Sequence, residues 1–250
     1  MEPTSGSRGA AYFAQVSSEL MMTERDETPT FQRIVDRAVE VVDACDHCGI
    51  SMRQRRRQVH TVASSSPLAA HCDELQYGLE EGPCLEAIWD DDSYLVQDTR
   101  TDRRWPRWGP RVADEGIGSV LSIRMATSTE TLGALNLYAS RPHAYDEESV
   151  DVALIYAAHA TNAMSTAQMV TGLQTALQSR HLIGVAQGIL VHRYDVSLEH
   201  AFDVLRRYSS NANLKLRDLA AIVVERRDLP PLDELGGTPE RSGEDPTVAG

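Results

Sequence analysis

Four cysteines and eight histidines are the residues that first ask for chemistry. Cys45 and Cys48 stand as C-D-H-C, and His71, Cys72 and Cys84 follow downstream. A structural zinc site takes four thiolate or imidazole ligands, usually from two short clips. Only one C-x-x-C is present, and it falls where a helix passes into a strand, a place that small half-buried cysteines commonly fill. Structural thiols are the favoured reading of Cys45, Cys48, Cys72 and Cys84, ahead of metal or redox sensing. Asp90-Asp91-Asp92 reads as a solvated loop rather than a cation site. His47, His60, His71 and His143 have no serine or carboxylate partner at a readable spacing, so no triad or dyad can be assembled. No glycine-rich phosphate loop is present either. The expectation is a chain without catalytic residues or metal ligands, hence no enzyme, and its cofactor, if any, is unknown.

Two stretches suggest binding instead. In DELQYGLEEGPCLEAIWDDDSYLVQD, a Gly-Pro-Cys turn feeds a short helix beside aromatics and a strand. Such a frame suits a small-molecule pocket, for which Tyr77, Cys84 and Trp105 are the candidate ligand-sensing residues. A loop packed over a sheet edge is the equally open alternative. In SRHLIGVAQGIL the apolar residues fall at helix spacing, yet Gly184 and Gly188 interrupt it. Each glycine costs about 1 kcal/mol against alanine in a helix interior. Leu182, Val185, Ala186 and Ile189 form one face, while Arg180 and Gln187, at i and i+7, share another. Either the glycines serve helix packing, or they leave a surface low enough for another backbone to lie close.

The elements that must position these residues follow from periodicity. FQRIVDRAVEVV places Phe31, Ile34, Val35, Ala38, Val39 and Val42 on one helix face. Ile50–Gln54 and Gln58–Ala63 read as strands around the basic turn Arg55–Arg57, and Ser119–Ala126 with Thr131–Ala139 as a hairpin. Pro67–Tyr77 and Gly82–Trp89 read as short helices, and SYLVQD as a strand. This order indicates an α+β domain around an antiparallel sheet. Residues 146–178 form a long alanine-rich helical connector with no clean heptad, whose pairing with a second copy would make a homodimer. Three helices close the fold: Arg180–Val191, one after Ser197 burying Leu198, Ala201, Phe202, Leu205 and Tyr208, and one after Asn213 burying Leu216, Leu219, Ala220 and Val223. Ser197 and Asn213 are the expected N-caps. Residues 1–30 are expected to be a flexible N-terminal segment and residues 230–250 a disordered tail.

A chain of 250 residues is long enough for one or two cored domains. No window approaches a membrane span, and the opening MEPTSGSRGAAYF lacks a signal-peptide pattern, so a cytoplasmic protein without a membrane partner is expected. The net charge of −13 speaks against nucleic acid, but it is unevenly spread. Between Leu173 and Asp228, eight basic residues face six acidic ones, a balance of +2, leaving −15 on the remainder. A mildly basic end on an acidic body can mark a polyanion-binding module.

Residues 31–164 resemble a GAF domain in the words LQYGLEEGPCLEAI, VQDTRTDRRWPRW, GIGSVLSIRM and LGALNLYA. Residues 173–229 resemble an ANTAR domain in ALQSRHLIGVAQGIL and SLEHAFDVLRRYSSNANLKLRDLAAIVV. The resemblance implies a GAF-like antiparallel sheet flanked by helices, joined by the connector to an all-α three-helix module. It also implies a signal-responsive RNA-binding antiterminator that acts as a dimer on paired stem-loops in nascent transcripts. The residues expected at RNA are Arg180, Gly184, Gln187, Gly188, Arg193, Ser209, Asn213, Lys215 and Arg217, since loops of RNA are read by hydrogen bonds, stacking and basic side chains on phosphates. Ser209 and Asn213 could equally cap helices. Gln187 stands where the family often has lysine, and Glu80-Glu81-Gly82 where its word is usually Gly-Glu-Gly. Two rival functions remain: a DNA-binding helix-turn-helix regulator, and a GAF-type enzyme working through Cys84 or Cys72, which requires a lowered thiol pKa.

Overall fold

The computed structural model describes residues 27–54, 58–90 and 92–235. The turn Arg55–Arg57, Asp91, and most of both terminal segments lie outside the described residues. The chain divides into two compact units, meeting between Thr171 and Gly172.

The first unit opens with α1 (Glu27–Val41), followed by β1 (His47–Arg53) and β2 (Val59–Ser64). Two short helices come next, α2 (Pro67–Leu79) and α3 (Pro83–Trp89), then β3 (Tyr94–Val96) and α4 (Trp108–Asp114). The hairpin β4 (Ser119–Ala126) and β5 (Thr131–Ala139) has the bounds expected of it. The sheet runs β2-β1-β5-β4-β3, with every neighbouring pair antiparallel. All residues of β5 are buried, which explains why its sequence is nearly continuously apolar.

Alternation along the strands separates two layers. Cys48, Ile50, Leu121, Ile123, Leu135 and Leu137 share a core with α1, where Phe31, Ile34, Val35 and Ala38 are buried as their spacing predicts. Fully burying such an aliphatic side chain contributes about 1.5–3 kcal/mol. Ser51, Ser122, Asn136 and Tyr138 fall on the opposite face. α2 is capped by Ser66, whose hydroxyl accepts the Ala69 N–H, and carries Pro67 in its first turn. It ends on Glu80, held in the left-handed region at φ 52°. That is the position where the family's word carries glycine, and a side chain there costs roughly 1–2 kcal/mol. α4 is not visible in the sequence, because Gly109 and Pro110 disguise a helix whose Trp108, Val112 and Ala113 are buried.

α5 runs from Glu147 to Tyr194 as one helix of 48 residues, so the expected connector and first closing helix are continuous. In the first unit it buries Ala153, Tyr156, Ala157, Ala160 and Met164, and Tyr156 donates to the Ile34 carbonyl at 2.7 Å. In the second unit, Ala186 and Leu190 of α5 pack with α6 (Leu198–Asn211) and α7 (Leu216–Arg226). Ala201, Leu205, Leu219, Ala220 and Val223 complete that core. Ser197 caps α6 by accepting the His200 N–H at 3.1 Å, as its type and place predict.

Three expectations of burial and capping are corrected. Leu198 and Phe202 are 60% and 37% exposed although Ala201 and Leu205 of the same stripe are buried, and Val185 is 38% exposed while Ala186 and Leu190 carry the core side of α5. Asn213 does not cap α7. It adopts φ 51°, a left-handed conformation that asparagine tolerates better than most residues, and Lys215 occupies the cap position without a side-chain bond. Leu232–Leu235 form a short 3-10 turn before the described residues end.

Candidate RNA interface and sensory core

The second unit presents the candidate RNA residues in two groups. Arg180, Gly184, Gln187 and Gly188 fall within roughly 100° of arc on α5, at 100° per residue. A side chain placed on Gly184 or Gly188 would meet nothing within 4 Å. Packing among the described residues therefore does not explain either glycine. Gln187 is half-buried, and its amide donates to the Leu198 carbonyl at 3.2 Å, which ties α6 to α5. Arg180 is exposed.

The second group surrounds the α6–α7 turn. The Ser209 hydroxyl donates to the Leu214 carbonyl at 2.6 Å while the Leu214 N–H returns to the Ser209 carbonyl at 3.0 Å, so Ser209 closes the turn. Asn213, Lys215 and Arg217 are exposed beside it, with Arg217 reaching Asp218 at 3.2 Å. Arg193 joins neither group. It lies on the far side of α5 from Arg180, where it contacts Asp228 at 2.6 Å, and Tyr194 also donates to Asp228. The Tyr194 bond, with help from Arg193, holds the Asp228 carboxyl below its ordinary value.

In the first unit, a cleft of about 890 Å3 opens between β2, the end of α2, and α3. Tyr77, His60, Glu86 and Trp89 are among its lining residues. Of the three candidate ligand-sensing residues, only Tyr77 lines it. Trp105 is buried and donates its indole N–H to Glu86 Oε1, a residue of the cleft, at 2.7 Å. Cys84 is fully buried, and its backbone N–H donates to Gln76 Oε1 at 2.8 Å. Gly82, at φ 149°, makes room for Gln76, since a Cβ there would lie 2.3 Å from Gln76 Oε1.

All four cysteines are free and buried. Burial pushes Cys45, Cys72 and Cys84 up to about 12, and Cys48 well above its ordinary value. Near neutral pH these groups are thiols, not the thiolates that nucleophilic chemistry requires. Among the described residues, no cluster of His, Cys, Asp or Glu could hold a metal ion.

Beneath Tyr77 lies a group of buried polar residues that the pocket reading overlooked. Asp73 on α2 is fully buried, together with Ser51, Gln76, Ser122, Asn136 and Tyr138. Two signals point to it: Asp73, Gln76 and Tyr77 at i, i+3, i+4 in DELQY, and a lone asparagine in the apolar strand LGALNLYA.

A GAF domain model matches residues 24–165, and an ANTAR domain model matches residues 171–224. The chain belongs to the GAF family and carries an ANTAR domain behind it. Among solved structures, the GAF domain of a phosphoenolpyruvate-protein phosphotransferase from Coxiella burnetii is 15% identical, with a TM-score of 0.54 over 68% of this chain and 99% of that one. Its counterpart from Acinetobacter is 13% identical, with a TM-score of 0.51 over 68% of this chain and 98% of that one. Free methionine-R-sulfoxide reductase from Neisseria meningitidis, solved with its substrate, is 11% identical, with a TM-score of 0.52 over 68% of this chain and 95% of that one. At these identities the likeness shows a shared fold. No curated protein matches the chain. GAF and ANTAR are regulatory domains, the first for signal sensing and the second for RNA-binding antitermination. No helix among the described residues is long and apolar enough to cross a membrane.

Proposed function

We propose that this GAF–ANTAR protein is a cytoplasmic antiterminator that works as a dimer on paired stem-loops of nascent RNA, with a small molecule or other signal acting at the GAF domain. The reading is carried by the open face of α5, where Gly184 and Gly188 stand bare beside Arg180 and Gln187. Two interior glycines that fill no space in the chain are a standing cost of about 1 kcal/mol each. A close-lying RNA backbone gives them a use, with Arg180 on phosphate and Gln187 on hydrogen-bonding edges. Lys215, Arg217 and Asn213 at the α6–α7 turn supply the second contact. On the same arc of α5, Leu173 and Leu177 are 60% and 67% exposed, and a second copy is their partner. The GAF signal would then act on the geometry of the paired modules and so on their joint affinity for two hairpins.

Binding to a tandem-hairpin RNA, compared with a single hairpin and with duplex DNA at two salt concentrations, tests this. A preference for the tandem RNA, lost in the Arg180→Ala, Lys215→Ala double variant, is the expected result. Equal weak binding to all three that vanishes with salt would reduce the module to generic electrostatics.

A further inference from the structure

The buried polar group under α2 has an unusual charge arrangement. Asp73 Oδ1 accepts the Tyr138 hydroxyl at 2.5 Å and the Asn136 amide at 2.8 Å, and Oδ2 accepts the Thr61 hydroxyl at 2.9 Å. Every one of these partners is neutral. Among the described residues no cation pairs with Asp73, although a buried carboxylate normally demands one. The site is built rather than incidental. Strand β1 carries Gly49 opposite the carboxylate, where a Cβ would fall 2.4 Å from Asp73 Oδ2. Asn136, which also donates to Ser51 at 2.9 Å and accepts Ser122 at 2.9 Å, is locked in orientation by strands on both sides.

Hydroxyls lead from the same group to Tyr77, whose hydroxyl also bonds Ser51 Oγ at 2.5 Å. Thr61 Oγ1, 2.9 Å from Asp73 Oδ2, is 3.0 Å from the Tyr77 hydroxyl, and Tyr77 lines the open cleft. We propose that Asp73 is a proton-binding site of the sensory domain, loaded from the cleft through Tyr77 and Thr61, and that its occupancy sets how tightly α2 is held to the sheet. A proton arriving at the Tyr77 oxygen releases Tyr77's own proton to Thr61 Oγ1, and Thr61's proton passes to Asp73 Oδ2. Only O–H bonds form and break, and the hydroxyl chain ends with reversed polarity. The inference rests on the GAF domain being the sensory part of the chain. Its readouts do not involve RNA, so its failure leaves the antiterminator reading standing.

The charge environment agrees with this role. Burial pushes the Asp73 carboxyl up from 3.8 to about 6 against the pull of its three hydrogen bonds, and Glu74 beside it on α2 adds to the rise. The titratable groups facing it from other elements are Cys48 of β1, Cys84 of α3 and Tyr138 of β5, with Cys72 and Tyr77 on α2 itself. Burial raises all five, so they stay neutral while Asp73 titrates. A carboxyl raised in the folded state stabilises the fold in its protonated form, and that contribution is lost as pH climbs from about 4 to about 6.

Urea unfolding of the full chain between pH 4 and 7.5 tests the site against Asp73→Asn, whose amide keeps the shape and cannot ionise. The wild-type folding constant is expected to fall roughly a hundredfold relative to the variant across that range, the linkage of a two-unit shift. Parallel profiles for the two proteins would overturn the site. Should the variant not fold, carbonyl 13C titration of aspartate-labelled wild-type protein decides the matter. One aspartate titrating near 6 is expected, and a spectrum in which all titrate near 4 overturns the proposal. The route has its own test in Tyr77→Phe, which keeps the ring and loses the hydroxyl. After a jump from pH 7.5 to pH 5, the tryptophan fluorescence relaxation should slow at least tenfold with its midpoint unmoved, and an unchanged rate would overturn the relay.

Discussion

Side chains that are absent say as much about this protein as those present. With open space at both positions, Gly184→Ala and Gly188→Ala cannot clash within the chain. Each substitution removes backbone entropy from the unfolded state and should stabilise the second unit by about 1 kcal/mol in urea unfolding. If RNA lies close on this face, the same double variant should bind tandem-hairpin RNA about tenfold more weakly while melting higher. A rise in stability with unchanged RNA affinity would return the glycines to another role. The sequence alone could not separate these uses, since glycines at helical spacing look the same facing a neighbour or facing solvent. Asp73 shows the reverse case. Its place in a helical face with Gln76 and Tyr77 was legible, but its lack of a cation depended on strands distant in sequence.

At the scale of elements, what was legible is what local physics decides. The β4–β5 hairpin ends where expected because two apolar runs flank a polar turn, and α6 begins after Ser197 because serine there satisfies an orphan N–H. The short α4 was hidden, since buried Trp108 and Val112 decide its form against local breakers. Asn213 was misread for a related reason: asparagine favours both N-caps and left-handed turns, and only the tertiary path of the α6–α7 connection selects the latter. That selection is testable. Asn213→Gly should leave stability within about 0.5 kcal/mol, whereas Asn213→Val should cost the second unit about 1–2 kcal/mol, because a branched Cβ crowds the backbone at positive φ. Equal costs for the two would show that the asparagine side chain, rather than its backbone conformation, matters there.

For the whole molecule, the central fact is an acidic chain of net charge −13 that must hold an anionic partner. One module offers few free cations: Arg193 is tied to Asp228, and Arg217 to Asp218, and of those expected at RNA only Arg180 and Lys215 have no ion pair among the described residues. Roughly two to four phosphate contacts per module give a salt slope of only about −1.5 to −3 and weak binding to one hairpin. On the dimeric function proposed above, useful affinity comes from two modules on two hairpins, where the second contact is made at an effective concentration set by the linkage rather than by bulk protein. Leu173 and Leu177, exposed on α5, are the seam assigned to a second copy in that proposal. Replacing both by glutamate places like charges across any parallel pairing of that seam, and the variant should run as a monomer in sedimentation. Its affinity for a single hairpin should fall only severalfold, since the charge added at position 177 lies one turn from Arg180 on the same arc but replaces no RNA contact. Its preference for the tandem RNA should fall by a factor on the order of 100. A monomeric variant that keeps the preference would show that one module reads both hairpins, and a variant that remains dimeric would place the seam elsewhere on the chain.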